Sequence, residues 1–375
     1  MTTKKKIAIL GSFPAWVIDP TLQSPGGHYA VWLVSLYEAL ATMANHYEIH
    51  WIVMEKYIPK AKLVESRNQF FHLLPAYSLT LAQRTYYLRE RFLIGRELKR
   101  IKPDLVHAWG TETFYALAGK GFKGSKILSM QGILTAYCQR SEMPAFQVRQ
   151  SMFEPATMQA YPHITSESQW GIERSKELAP QATTHLWDYA ANQLFYNGSR
   201  HLSPTPTCLI AGTNTPVKNV TCAIEAFSRP ELSHITLYLA GIAEGQYEKL
   251  PHNIIPLGRL NREALKEKLS SVWCLVHPSL ADTCPNIVKE ARVMGVPCVV
   301  TTECGAKQYI IHEKSGYIIP VKNSDALAEA VLKITESEET SMRMGAYDHE
   351  RCREALSAET MINKLFALYE QVLAE

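Results

Sequence analysis

Aspartate is scarce in this chain. Only six occur in 375 residues, and the closest two, Asp325 and Asp348, lie 23 positions apart. No Asp-x-Asp pair is therefore present to hold a divalent cation against a diphosphate, and neither HExxH nor CxxC occurs. Long apolar runs are missing too. The longest stretch without Asp, Glu, Lys or Arg, 20–37, begins polar with Pro and Gly and cannot cross a bilayer as a helix. A large net charge is also missing: 39 Lys and Arg against 36 Asp and Glu leave +3, so the chain as a whole is not a polyelectrolyte binder. What remains is a globular composition, 46% apolar and 20% charged, which excludes disorder, collagen and coiled coil as the main state. The length points to two or three domains. Eight cysteines without a CxxC pattern, five of them in or beside apolar runs, read as reduced thiols of a cytosolic protein. Lys4-Lys5-Lys6 before Ile7-Ala8-Ile9-Leu10-Gly11 opens like a secretory leader, but the apolar run is too short; it reads as a first buried strand.

The +3 hides an asymmetry. Residues 1–200 carry +7 and residues 201–375 carry −4, with the excess concentrated at +9 in 51–150. Such a split speaks about partners rather than fold.

Short apolar runs alternate with helix-period segments. Strands are expected at 6–11, 47–54, 103–108, 126–130 and 162–166, then at 207–212, 234–240, 253–257, 272–277, 296–301 and 315–319. Helices are expected at 27–44, 84–101, 219–229, 261–270, 286–294, 324–336 and 357–373. Nearly continuous apolar strands alternating with helices imply parallel sheets covered on both faces, an α/β protein with two doubly wound, Rossmann-like domains. The break falls near 197–206, rich in Gly, Ser and Pro, which gives domains 1–200 and 201–356 with a last helix in 357–375. Two such domains form a cleft, and ligands in open α/β sheets bind beyond the carboxyl ends of the strands.

Gly119-Lys-Gly121-Phe-Lys-Gly124 matches GxGxxG, but a helix precedes it and a strand follows. A dinucleotide fingerprint needs the reverse order, so this is a helix stop and turn, and a nicotinamide enzyme is disfavoured. The segment 278–300 is richer. Asp282 and Thr283 read as N-cap residues and Pro285 as first-turn proline, so the turn 283–287, with Cys284, Pro285, Asn286 and Ile287 in it, offers free backbone N–H groups for an anion at a strand end. Glu290 lies one turn into the helix, eight residues after Asp282. By spacing alone, the two carboxylates either hold hydroxyls on both sides of a diphosphate or are an N-cap and a solvated helix residue.

Asp282-x7-Glu290 followed by Ala291-x3-Gly295-x-Pro297 resembles the donor-binding signature of family 4 retaining glycosyltransferases with the GT-B fold, in a variant with Asp first and Pro-Asn inside. Gly305 and Ser315-Gly316-Tyr317-Ile318 are similar to its following loop and strand. Gly212-x5-Lys218 resembles its phosphate-holding Gly-Arg-x4-Lys loop, with Thr213 in place of Arg. Ser24-Pro25-Gly26-Gly27-His28 resembles its Gly-Gly turn; an ordinary loop and helix start is the competing reading. The run 103–110 is similar to its strand ending in His-x-His, with His107 first and Trp109 second. His107 is either catalytic or a strand-end core histidine.

The resemblance implies a hexosyltransferase that moves a sugar from a UDP- or GDP-sugar with retention, without metal or cofactor. The acceptor is a glycan or lipid-linked molecule of cell-surface polysaccharide or glycolipid synthesis. It implies donor binding by Gly26, Gly27, Thr213, Lys218, 284–287 and Glu290, and catalytic places for Asp282 and His107. It also implies that domain 1–200 takes the acceptor, that 201–356 takes the nucleotide-sugar and that 357–375 crosses back onto the first domain. The basic segment 84–102 reads either as a solvated helix face or as a contact for anionic lipid, which would make the protein cytoplasmic and peripheral on the inner membrane face. Nucleic acid is not expected. The alternative is a non-catalytic GT-B subunit that docks or stabilises another transferase, which Thr213 and Trp109 would favour.

Overall fold

The computed structural model describes residues 4–22, 30–42, 46–56, 58–76 and 79–375. Two sheets organise them. The first has the order β3-β4-β2-β1-β5-β6-β7-β8. Its strands are β1 (Lys5–Leu10), β2 (Tyr47–Glu55), β3 (Lys62–Ser66), β4 (Gln69–Pro75), β5 (Leu105–Trp109), β6 (Ser125–Met130), β7 (His163–Ser166) and β8 (Thr183–Leu186). The second has the order β11-β10-β9-β12-β13-β14. Its strands are β9 (Thr207–Ala211), β10 (Thr236–Ala240), β11 (Ile254–Gly258), β12 (Cys274–His277), β13 (Cys298–Thr301) and β14 (Gly316–Ile319). Every pairing is parallel except β3 with β4.

The apolar strands are continuous because both faces of each sheet are buried. In β1, Ile7 and Ile9 join one core while Ala8 and Leu10 join the other. In β9, Cys208 and Ile210 face one core and Leu209 the opposite one. This is the period of two that a pleated strand imposes.

The antiparallel hairpin β3–β4 and the strand β8 were not anticipated. The hairpin turns on Arg67 and Asn68, both at positive φ (49° and 58°), without the glycine that usually marks such a turn. The last helix, Ala358–Ala374, buries Met361, Leu365, Leu368, Tyr369 and Val372 in the first sheet's core. It therefore packs back across the molecule. Among the described residues, no helix is long and apolar enough to cross a membrane.

Strand order reverses between β1 and β5 in the first sheet and between β9 and β12 in the second. Loops at such switch points leave a crevice at the strands' carboxyl ends.

Candidate active site

Beyond β9 the chain runs through an exposed Thr213 into a short 3-10 turn, Pro216–Lys218. Asn219 then takes a left-handed conformation (φ 52°) and donates its side-chain amide to Pro278 O at 3.1 Å. The Leu280 amide bonds Val217 O at 2.8 Å. These contacts lock the loop after β9 against the loop after β12. Lys218 Nζ thereby reaches Asp282 Oδ2 at 2.5 Å, and His277 Nε2, at the end of β12, reaches the same oxygen at 2.9 Å. Burial alone would raise the Asp282 carboxyl, but Lys218 and His277 outweigh it and hold it well below the usual carboxylate range. Burial lowers His277, with Asp282 opposing.

Asp282 is not an N-cap. Its backbone pairs with Cys304 in an isolated bridge, and the following helix, Asn286–Val293, begins after Pro285 with no side-chain cap. The Thr283 amide is also committed. It donates to Tyr137 Oη at 3.2 Å, across the interface from the first domain. Among the described residues, the amides of Cys284, Asn286 and Ile287 meet no protein acceptor. The anion-binding turn is thus narrower than 283–287 suggested. The helix it opens has no solvated face, since Lys289, Glu290 and Arg292 are as buried as Val288 and Ala291. Glu290 is ion-paired with Arg262 Nη2 at 2.7 Å; burial raises its carboxyl and Arg262 opposes. The half-exposed Arg262, stacked 4.8 Å over Phe195, forms the open lip of that pair.

His107 requires a correction. It is fully buried, Nδ1 bonded to Tyr369 Oη at 2.8 Å and Nε2 to Ser129 Oγ at 2.6 Å. Burial lowers it to about 3, so it is neutral, and no ring nitrogen is left for a substrate. It fastens the last helix to the first sheet. Trp109 is buried beside it against Trp187. Gly26 and Gly27 lie outside the described residues.

The two halves meet around Asp282–Thr283. Ser168 Oγ donates to Thr283 O at 2.5 Å, Arg140 pairs with Glu303 at 2.8 Å, and Lys289 is bonded to Glu167. A cleft of about 820 Å³ opens beside them, between residues 138–143 and Val148 on one side and Pro216, Leu280 and Lys322 on the other. His277, Tyr137, Arg262 and Glu112 carry no sequence motif. Only their positions just beyond strand ends, or facing such a loop, distinguish them.

The family model described as "Glycosyl transferases group 1" matches residues 198–351. The N-acetyl-alpha-D-glucosaminyl L-malate synthase of Bacillus anthracis is 27% identical over 89 residues, 24% of this chain and 23% of that protein's own length. Among solved structures, sucrose-phosphate synthase from Thermosynechococcus elongatus superposes with a TM-score of 0.80 at 17% identity, over 99% of this chain and 100% of that one. HepE of Anabaena, in complex with UDP and glucose, gives 0.69 at 13% identity over 98% and 100%. The structural likenesses show the GT-B fold. With the family match, they support a glycosyltransferase.

Proposed function

We propose that the chain is a retaining, metal-independent hexosyltransferase of the Asp-first family 4 type. In this reading it moves a sugar from a UDP- or GDP-sugar to a glycan or lipid-linked acceptor of cell-surface polysaccharide or glycolipid synthesis. The observation that carries it is the Lys218–Asp282–His277 cluster at the second sheet's switch point, next to the open amides of Cys284, Asn286 and Ile287. A diphosphate seated on those amides takes Lys218 as its counter-ion. Asp282, relieved of part of that ion pair, accepts a hydroxyl of the donor sugar. Glu290, oriented by Arg262, holds the ribose hydroxyls. Thr213 lines the phosphate loop without the charge that Arg would add.

As transfer proceeds, the bond from the anomeric carbon to the diphosphate oxygen breaks while the acceptor oxygen bonds that carbon from the same face. The acceptor proton passes to the departing phosphate. Charge grows on the diphosphate, where Lys218 and the helix amides stabilise it without a metal. No cofactor takes part.

The acceptor belongs on the first domain. Arg84, Arg89, Arg91, Arg96, Lys99, Arg100 and Lys102 are all exposed, whereas the two acidic residues among them, Glu90 and Glu97, are buried. Tyr86, Leu88 and Phe92 are exposed between the cations, and Leu81 just before them. A face of this kind suits an anionic lipid surface or a lipid-diphosphate acceptor.

The test is a panel of UDP- and GDP-sugars, read as thermal stabilisation and slow hydrolysis. Stabilisation by about 2–3 kcal/mol at a hundredfold excess over the dissociation constant is expected for the true donor, together with nucleotide release. Binding without hydrolysis would favour the non-catalytic subunit. Absence of binding by any member would sink the transferase reading.

A further inference from the structure

A second carboxylate lies in the first domain, beside the interface between the halves. β5 ends at Trp109, Gly110 turns the chain with φ +72°, and Glu112 follows. Its side chain folds back over two glycines: a Cβ at either Gly110 or Gly132 would collide with its carboxylate oxygens. Backbone N–H groups of Glu112, Gly132 and Thr111 are directed at it. Beside it, the buried Glu154 receives the Thr111 hydroxyl at 2.5 Å and the amides of Leu134 at 3.0 Å and Thr135 at 2.6 Å. Glu154 thus ties the loops together, and Glu112 is left partly exposed.

Glu112 follows β5 at the first sheet's switch point, as Lys218 and Asp282 follow β9 and β12 at the second's. Tyr137 bridges the two. Its ring lies against Gly132, where a Cβ would stand 3.1 Å from Cε2, and its hydroxyl is 2.9 Å from Thr283 Oγ1. One side chain therefore separates Glu112 from the turn that opens the donor site.

We propose that Glu112 is an acceptor-binding residue, its carboxylate taking the hydrogen bond of an acceptor hydroxyl next to the attacking oxygen. The assignment rests on the donor site proposed above. The attacking hydroxyl's own proton goes to the departing phosphate, so Glu112 gains and loses no proton in the step. When water is the acceptor, its second O–H occupies the same place. A carboxylate suits neutral hydroxyls and not a phosphate, which separates this site from the cationic donor loop.

Burial raises the Glu112 carboxyl to about 7, and Glu154 adds to the rise against the backbone N–H groups. The hydroxyl-accepting form prevails only above that value, so turnover should carry an acidic limb near neutrality.

The test uses the wild type, Glu112→Gln and Glu112→Asp with the panel of nucleotide-sugars. Hydrolysis is followed from about pH 5.5 to about pH 8.5, with affinity for UDP or GDP, whichever the hydrolysed donor carries, by calorimetry and melting temperature alongside. Glu112→Gln is expected to keep that nucleotide affinity within about twofold and the wild-type melting temperature, while hydrolysis falls about tenfold or more and the acidic limb disappears. Glu112→Asp should retain the limb. A Glu112→Gln protein with wild-type rate and pH profile overturns this assignment and leaves the proposed function standing. Loss of that nucleotide affinity or of the fold in both variants overturns it in favour of a donor-side or structural role. A wild type that hydrolyses no member of the panel overturns both.

Discussion

Lys218 stands 64 positions before Asp282 and shares one of its carboxylate oxygens with His277. Lys218 and Asp282 were legible in the sequence because each sits in a spaced motif. His277 was not, because a histidine closing an apolar strand has the same neighbours whether it fills a core or supports a site. His107 shows the converse: its strand-end position suggested chemistry, and packing against Tyr369 and Ser129 removed it. Lys218→Ala is expected to lower nucleotide-sugar turnover about 100-fold or more, the scale set by losing one preorganised charge at a developing anion. Steady-state kinetics with the identified donor checks this; near-normal turnover would sink the assignment. The same variant has a stability signature. The folded-state pKa of Asp282 is depressed, so its contribution is present above the unfolded value of about 4 and is lost only as pH falls through the much lower folded one. Without Lys218 that folded value rises, so the acid-unfolding midpoint followed by circular dichroism should move to higher pH.

At the scale of elements, the helix Leu88–Ile101 sorts its charges. Composition counts Glu90 and Glu97 against the cations of 84–102, but packing turns both inward. Glu97 meets His72 at 2.6 Å and Arg100 Nη2 at 2.5 Å. Hence the exposed face is more basic than the sequence sum. Each cation near an anionic surface is worth about 1 kcal/mol, screened over a Debye length of about 10 Å at 0.1 M salt. Vesicles rich in phosphatidylglycerol should therefore retain the protein at low salt and release it at high salt in a flotation assay. Arg89→Glu, Arg91→Glu and Arg96→Glu together should abolish retention. No retention of the wild type at low salt would remove the membrane reading. The hairpin β3–β4 escaped the sequence because Arg67 and Asn68 adopt left-handed backbone that no local rule assigns to arginine.

For the whole molecule, the decisive contacts are those between the halves. Lys289, fully buried in the second domain's helix, bonds Glu167 of the first domain and donates to Tyr189 O at 3.2 Å. Gln308 and Tyr309 reach Asp188, and Lys364 of the last helix closes on the same residue at 2.6 Å. Burial holds the Glu167 carboxyl above the ordinary range even with Lys289 beside it. Lys289→Met removes the opposing charge and is expected to cost about 3–5 kcal/mol at pH 8, the scale for breaking a buried pair. Since the folded pKa of Glu167 then rises further, stability should recover as pH is lowered toward 6, where the carboxyl is protonated. Denaturant melts at the two pH values test this. Equal losses at both would show that Glu167 does not carry the penalty.

The sequence by itself determined the α/β class, the two series of buried strands and the two motif loops at their ends. Those follow from local pattern: apolar runs both faces of a parallel sheet must bury, glycine at Gly295 with φ +72°, and proline opening a helix. Tertiary structure alone decided that the Thr283 amide is taken by Tyr137, that His107 serves the core, and that Glu112 rests on Gly110 and Gly132. Each of these depends on a residue from another element, so no sequence spacing records it. Burial, which sets whether a carboxylate is an ion pair, a loop tie or an open acceptor, exists only once both sheets have closed on one another.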